Sequence, residues 1–66
     1  MQVTINGKVV DLAEPLTVRD LLASKGLHER MVVVEHNRDI VPRDRYGDVV
    51  LGDDDTLEIV QMMAGG

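Results

Sequence analysis

The stretch Gln2-Val3-Thr4-Ile5-Asn6-Gly7-Lys8-Val9-Val10 contains the pattern that decides the fold. Two short runs rich in β-branched residues flank Asn6-Gly7, a sequence typical of a type I′ hairpin turn, because both of its central residues must adopt positive φ. The pattern predicts an antiparallel hairpin in which Val3 pairs with Val10, with Val9 pointing to the opposite face. The side chains that share the predicted buried face are Val3, Ile5, Val10 and Leu12.

The composition indicates one small domain with an aliphatic core. The chain has 66 residues, of which 44% are hydrophobic, a fraction ordinary for a globular protein. Eleven valines, seven leucines and three isoleucines stand against a single tyrosine, with no phenylalanine and no tryptophan. Such a β-branched core favours strands over helices.

Several classes of protein are excluded by what the sequence lacks. It has no cysteine, which excludes disulfide scaffolds, thiolate metal sites and a cysteine nucleophile. Twelve acidic residues against seven basic ones give a net charge of −5, which makes nucleic-acid binding unfavourable. Apolar runs such as Met31 to Val34 are far shorter than a membrane span, and no signal-peptide pattern is present, so we expect a cytoplasmic protein.

A short helix is predicted after the hairpin. Thr17 is a good N-cap, and an apolar stripe follows at helical spacing. Gly26 supplies a left-handed stop after about two and a half turns. A helix of this length is not stable alone in water, so it must pack on the hairpin. The residues of its apolar stripe are Val18, Leu21 and Leu22.

Strands are predicted at 31–35, 40–41 and 56–60, with Pro42 ending the second of these and a turn at 52–55. The order of elements predicts an α+β fold, a mixed four- to five-stranded sheet with one helix packed on one face. With the final strand parallel to the first, this is the ubiquitin-like β-grasp. We expect residues 1–60 to form the domain and residues 61–66 to form a flexible C-terminal Gly-Gly tail.

Side-chain chemistry within the domain is unpromising. His28 and His36 lack the spacing of a metal pair, and Ser24 has no local base. The acidic turn at 53–55 lacks the ligand series of a calcium loop. We therefore expect neither catalytic residues nor a metal site.

The C-terminal Ala64-Gly65-Gly66 is the chemically informative segment. A six-residue arm can extend about 20 Å, and residues without large side chains can thread a narrow channel in another protein. The Gly66 carboxylate could attack the α-phosphate of ATP to give an acyl adenylate, which an amine, a thiol or a sulfur donor could then displace. The alternative is a frayed end without function.

Several motifs in this order resemble the ThiS family, the sulfur carrier proteins of thiazole (thiamin) biosynthesis. They are Thr17-Val18-Arg19-Asp20-Leu21-Leu22, Ile40-Val41-Pro42-Arg43, Leu57-Glu58-Ile59-Val60 and Ala64-Gly65-Gly66, and the resemblance covers essentially the whole chain. Asp54 departs from the family, which commonly has glycine there, and this leaves the turn geometry open.

The resemblance implies a protein cosubstrate and not an enzyme. An E1-like adenylyltransferase would use ATP to activate Gly66, and a sulfur donor such as a cysteine desulfurase would convert it to a thiocarboxylate. Thiazole synthase would then use that sulfur. Gly65 and Ala64 would give the tail its slimness, no cofactor would be bound, and the free protein would be a monomer.

The sequence indicates the docking surface less clearly than it indicates the chemistry of the C-terminal tail. Strand alternation places Val9, Val33 and Val60 on the sheet face away from the helix, where they form either a docking patch or merely scattered exposed valines. Met62 and Met63 either contact partners or anchor the tail. The net charge favours basic partner surfaces. Other readings of the whole chain are a sulfur carrier for molybdopterin or tRNA thiolation, a ubiquitin-like protein modifier, and an interaction module.

Overall fold

The computed structural model describes residues 1–62, so the predictions for Met63, Ala64, Gly65 and Gly66 lie outside the described residues. Within these 62 residues there are one helix and five strands, with 3₁₀ turns at Glu29–Met31 and Arg43–Arg45. In chain order the elements are β1 (Gln2–Ile5), β2 (Lys8–Asp11), α1 (Val18–Ser24), β3 (Val32–His36), β4 (Asp39–Ile40) and β5 (Thr56–Gln61).

The five strands form one mixed sheet in the order β2-β1-β5-β3-β4. The β1–β5 pair is parallel, and the other pairs are antiparallel. Parallel pairing of the first and last strands at the centre confirms the predicted β-grasp topology. It makes β5, which leads into the C-terminal residues, a strand with a neighbour on each side.

The β1–β2 hairpin has the predicted register and turn. Val3 pairs with Val10, and Asn6 and Gly7 have φ values of 51° and 80°. Both angles are positive, as a type I′ turn requires. Val3 and Ile5 are buried, whereas Val9 is exposed on the opposite face, so the predicted alternation is confirmed.

Helix α1 begins and ends as the sequence predicts. The Asp20 N–H donates to the Thr17 hydroxyl at 3.0 Å, which is the N-cap bond. At the other end, the Leu27 N–H donates to the Leu22 carbonyl at 2.9 Å across Gly26, whose φ is +70°. This is a Schellman motif. The helix has seven residues, slightly fewer than the predicted two and a half turns.

The core includes residues from a segment without periodicity, 41–51. Tyr46 is only 2% exposed, and Val41 and Leu51 are also buried. The segment is held to the start of α1, because the Leu51 N–H donates to the Leu16 carbonyl at 2.8 Å. The remaining core residues are Val3, Ile5, Val18, Leu21, Leu22, Val32, Val34, Leu57 and Ile59.

The last strand runs further than the predicted end at residue 60. Leu57 and Ile59 face the core as predicted, and β5 continues through Gln61. The Met62 N–H then donates to the Met31 carbonyl at 2.7 Å. No helix within residues 1–62 is long and apolar enough to cross a membrane.

Candidate functional site

Strand β5 is the last element of the chain before the C-terminal residues, and a side-chain amide fixes its second half. The Ile59 N–H donates to Asn6 Oδ1 at 2.7 Å, and Asn6 Nδ2 donates to the Ile59 carbonyl at 3.2 Å. Because the chain turns away from β5 at Asn6, the side-chain amide takes the place that a further β1 peptide group would occupy. The hairpin turn is thereby bonded directly to the tail-bearing strand.

A second asparagine fixes the start of β5 in the same way. Asn37 has a φ of 50° in the β3–β4 turn, and its Oδ1 accepts from the Thr56 N–H at 2.9 Å. The Asn37 N–H donates to the Thr56 carbonyl, also at 2.9 Å. Both halves of β5 are therefore bonded to an asparagine in a tight turn, at Thr56 and at Ile59.

Asp55 connects the β3–β4 turn to the loop before β5. His36 Nε2 lies 2.8 Å from Asp55 Oδ2, the Gly52 N–H donates to the same oxygen at 2.7 Å, and Asn37 Nδ2 donates to Asp55 Oδ1 at 3.2 Å. Burial by itself would raise the pKa of Asp55, but the hydrogen bonds from His36, Gly52 and Asn37 outweigh it and hold that pKa below 3.8. Asp54 has a φ of 67°, so this turn uses the left-handed conformation without a glycine.

The structure brings three of the predicted docking residues together. Val33 and Val60 are direct cross-strand partners on the face away from α1, and Val60 is 60% exposed. Met62 follows Val60 by two residues and is 41% exposed, so its side chain lies beyond the same end of the strand. These three residues, Val33, Val60 and Met62, form what we call the apolar patch.

Val9 lies apart from the apolar patch. It is 62% exposed, but it is on β2 and pairs with Thr4, which in turn pairs with Thr56. From Thr56 to Val60 the distance along β5 is about 13 Å, and two strand spacings add about 10 Å across the sheet. Val9 and Val60 thus have almost the same exposure but lie at separate places on one face of the sheet.

Two features of this face were missed by the sequence analysis. Ile40 is 67% exposed and pairs with Glu35, which places it outward beside β3. Glu35 in turn pairs with Glu58, so two acidic side chains lie directly opposite each other next to the apolar patch. For Ile40 the available signal was Asn37-Arg38 as a two-residue turn, since the pairing of Glu35 with Ile40 follows from it.

The other polar residues singled out in the sequence have structural roles. His28 Nδ1 accepts from the Arg30 N–H at 3.2 Å and so caps a 3₁₀ turn. Ser24 Oγ donates to the Leu21 carbonyl at 2.7 Å. Among residues 1–62 no cluster of three or more histidine or acidic side chains could hold a metal ion.

Comparison with known proteins identifies the family. The model of the ThiS family matches residues 3–66. The chain belongs to the ThiS family. It is 43% identical over 63 residues to the sulfur carrier protein ThiS of Bacillus subtilis, covering 94% of this chain and 96% of that protein. ThiS is a small sulfur carrier protein and not a catalyst, which is consistent with a protein cosubstrate.

The fold agrees with that of a solved ThiS protein. The crystal structure of the thiamine biosynthesis protein ThiS from Geobacter metallireducens superposes with a TM-score of 0.83 at 32% identity, covering 100% of both chains. This confirms the ubiquitin-like β-grasp.

A much longer relative also contains a ThiS-like segment. The chain is 41% identical over 66 residues to a thiazole synthase of Paramagnetospirillum magneticum, and it spans 20% of that protein's length. In that relative, a segment similar to this whole chain lies in the same polypeptide as a thiazole synthase.

Proposed function

We propose that this protein carries sulfur for thiazole (thiamin) biosynthesis on its C-terminal Gly66. Membership of the ThiS family is the observation that carries the proposal. The ThiS-like segment within a thiazole synthase supports thiazole synthase as the acceptor of the sulfur. An E1-like adenylyltransferase and a sulfur donor such as a cysteine desulfurase complete the set of partners.

The proposed chemistry takes place at one carboxylate. A Gly66 carboxylate oxygen attacks the α-phosphorus of ATP, and pyrophosphate leaves. The terminal sulfur of a persulfide on the donor attacks the acyl carbon, and AMP leaves. A thiol then cleaves the S–S bond of the acyl disulfide, which leaves the thiocarboxylate. The carrier supplies the acyl group and its placement, and the partner enzymes supply the catalysis.

Placement depends on how firmly the base of the tail is held. β5 is bonded to β1, to β3 and to the Asn6 amide, and the last described backbone bond is at Met62. Residues 63–66 then reach at most about 14 Å when fully extended. We propose that they form the flexible arm that threads the partner's channel, with Gly65 and Ala64 keeping it slim.

The test is ATP–pyrophosphate exchange by the cognate adenylyltransferase. Deleting Gly66 shortens the arm by one residue, and we expect exchange to fall by about 100-fold or more, since even small misplacements of a reacting group are costly. Gly65→Val should also abolish exchange, by widening the arm, while the melting temperature stays unchanged.

Gly7→Val is the matched control, because it makes the same substitution in the hairpin turn. At a φ of +80° it should lower the free energy of unfolding by about 1–2 kcal/mol but leave exchange intact below the melting temperature. Normal exchange by the protein without Gly66 would refute the proposed function.

We propose that partners dock on the apolar patch. It adjoins the base of the tail, and the facing Glu35 and Glu58 carboxylates favour a partner with a basic side chain at that point. Val60→Asp should therefore weaken binding by more than about 1 kcal/mol, as charging an apolar anchor does at an interface.

The control for docking is Val9→Asp. The two valines are almost equally exposed, at 62% and 60%, so the substitutions should cost similar stability. Affinities for the adenylyltransferase and for thiazole synthase are measured by titration calorimetry. Equal binding by the two variants would show that the apolar patch is not the docking surface.

A further inference from the structure

One side of β5 loses its backbone partner before the strand ends. β1 pairs with β5 only at Thr56 and Leu57. The backbone N–H and C=O groups of alternate residues of β5 point to this side, in the plane of the sheet and away from β3. These residues are Leu57, Ile59 and Gln61. Asn6 takes up the groups of Ile59 through its side chain.

Gln61 is the first residue on this side without a partner. Its N–H and C=O point away from β3, since the neighbouring Met62 N–H is the one that bonds to Met31. β1 is paired with β5 only as far as Leu57, and the Asn6 side chain takes the next position at Ile59, so among residues 1–62 no strand lies beside these two groups of Gln61, and the residue is exposed. Unpaired backbone groups along an extended strand are a template for another strand.

We propose that an extended segment of thiazole synthase adds as a strand beside β5 at Gln61, in line with the position that β1 leaves after Ile5. This inference rests on the proposed function. Residues 63–66 follow directly after Gln61 and Met62, so the protein that encloses the tail must contact the chain here.

The similarity between this chain and part of a thiazole synthase favours thiazole synthase as the protein that pairs with β5. In the Paramagnetospirillum magneticum relative, the ThiS-like segment and the thiazole synthase share one polypeptide. Such an arrangement keeps the two parts at high effective concentration, where a short strand contact is sufficient. The other occupants, the adenylyltransferase and a second copy of this chain, are outcomes of the test.

The test compares two variants that differ in whether the outward N–H of residue 61 is present. Gln61→Pro deletes that donor and leaves the β3–β5 bonds in place, and Val60 before it already has the extended backbone that a following proline requires. Gln61→Ala is the control, because it removes the side chain and keeps the N–H. We expect Gln61→Pro to weaken binding to thiazole synthase by about tenfold or more and Gln61→Ala to weaken it by less than about twofold.

Amide hydrogen exchange of the unmodified protein gives an independent result. The Gln61 amide should exchange rapidly in the free protein and become protected in the complex with thiazole synthase. Equal binding by the proline and alanine variants, or no protection in a complex that forms, would overturn this inference and leave the proposed function intact.

Two further outcomes also contradict the inference. Protection of Gln61 by the adenylyltransferase but not by thiazole synthase would assign the edge to the other enzyme. Concentration-dependent protection in the free protein would assign it to a second copy. If the unmodified protein does not bind thiazole synthase at all, the proposed function itself fails.

Discussion

Asn6 has two functions in this molecule, and only one of them is visible in the sequence. Its positive φ makes the hairpin turn, which Asn-Gly predicts. Its side-chain amide also bonds both backbone groups of Ile59, 53 positions along the chain. No local sequence pattern predicts such a contact, because the contact depends on how far β1 runs alongside β5.

The two functions can be separated by Asn6→Gly. Glycine accepts the positive φ, so the turn persists, but both bonds to Ile59 are lost. We expect the free energy of unfolding to fall by about 1–3 kcal/mol, measured by urea denaturation. Gly7→Ala is the comparison, since it strains the turn without touching β5. An unchanged stability of Asn6→Gly would show that the amide bonds contribute nothing.

Asp55 should make the stability of the fold depend on pH. Its pKa in the folded state is held below 3.8, so the ionised carboxylate stabilises the fold above that pH. This stabilisation is lost as the pH falls through the folded-state pKa. Asp55→Asn should therefore be less stable than the parent at pH 7, and the difference should shrink at pH values below about 3.8. A difference that is constant with pH in thermal melts would contradict this account.

Strands β3 and β5 carry a feature that opposes stability. Glu35 and Glu58 face each other directly, and like charges in that position are unfavourable by a few tenths of a kcal/mol to about 1 kcal/mol. Glu58→Gln should therefore raise the free energy of unfolding by that amount while weakening the binding of partners. Glu14→Gln, at an exposed site outside the strands, changes the net charge equally and is the control. Equal stability of the two variants would mean that the facing carboxylates do not repel measurably.

The elements differ in how well the sequence predicts them. The β1–β2 hairpin, α1 and β5 were predicted because each has a turn or cap signal together with a clear apolar period. The segment 41–51 has neither, so three features of it were not predicted: the burial of Tyr46, the bond that the Val49 carbonyl accepts from Val18 in α1, and the bond that the Leu51 N–H donates to Leu16. These contacts arise only when the core closes, which is a property of the whole chain and not of the segment.

At the scale of the whole molecule, the sheet holds its last strand, β5, at the centre. The strand order places β5 between β1 and β3, and two asparagines fix it at both halves. The sequence predicted the candidate site only in part. It placed Val33 and Val60 on the sheet face away from the helix, but it grouped them with the distant Val9. Residues on one face of a sheet are neighbours only if the register of the strands brings them together, and the sequence alone did not give that register.

The central claim is that Gly66 carries sulfur, and intact-mass analysis of the protein purified from its native cells tests it most directly. Cells are grown without thiamin so that the pathway is in use, and the C-terminal peptide is then sequenced by fragmentation. The account predicts a fraction of molecules in which one oxygen of Gly66 is replaced by sulfur. Protein that carries only the ordinary carboxylate at Gly66 under these conditions would contradict it.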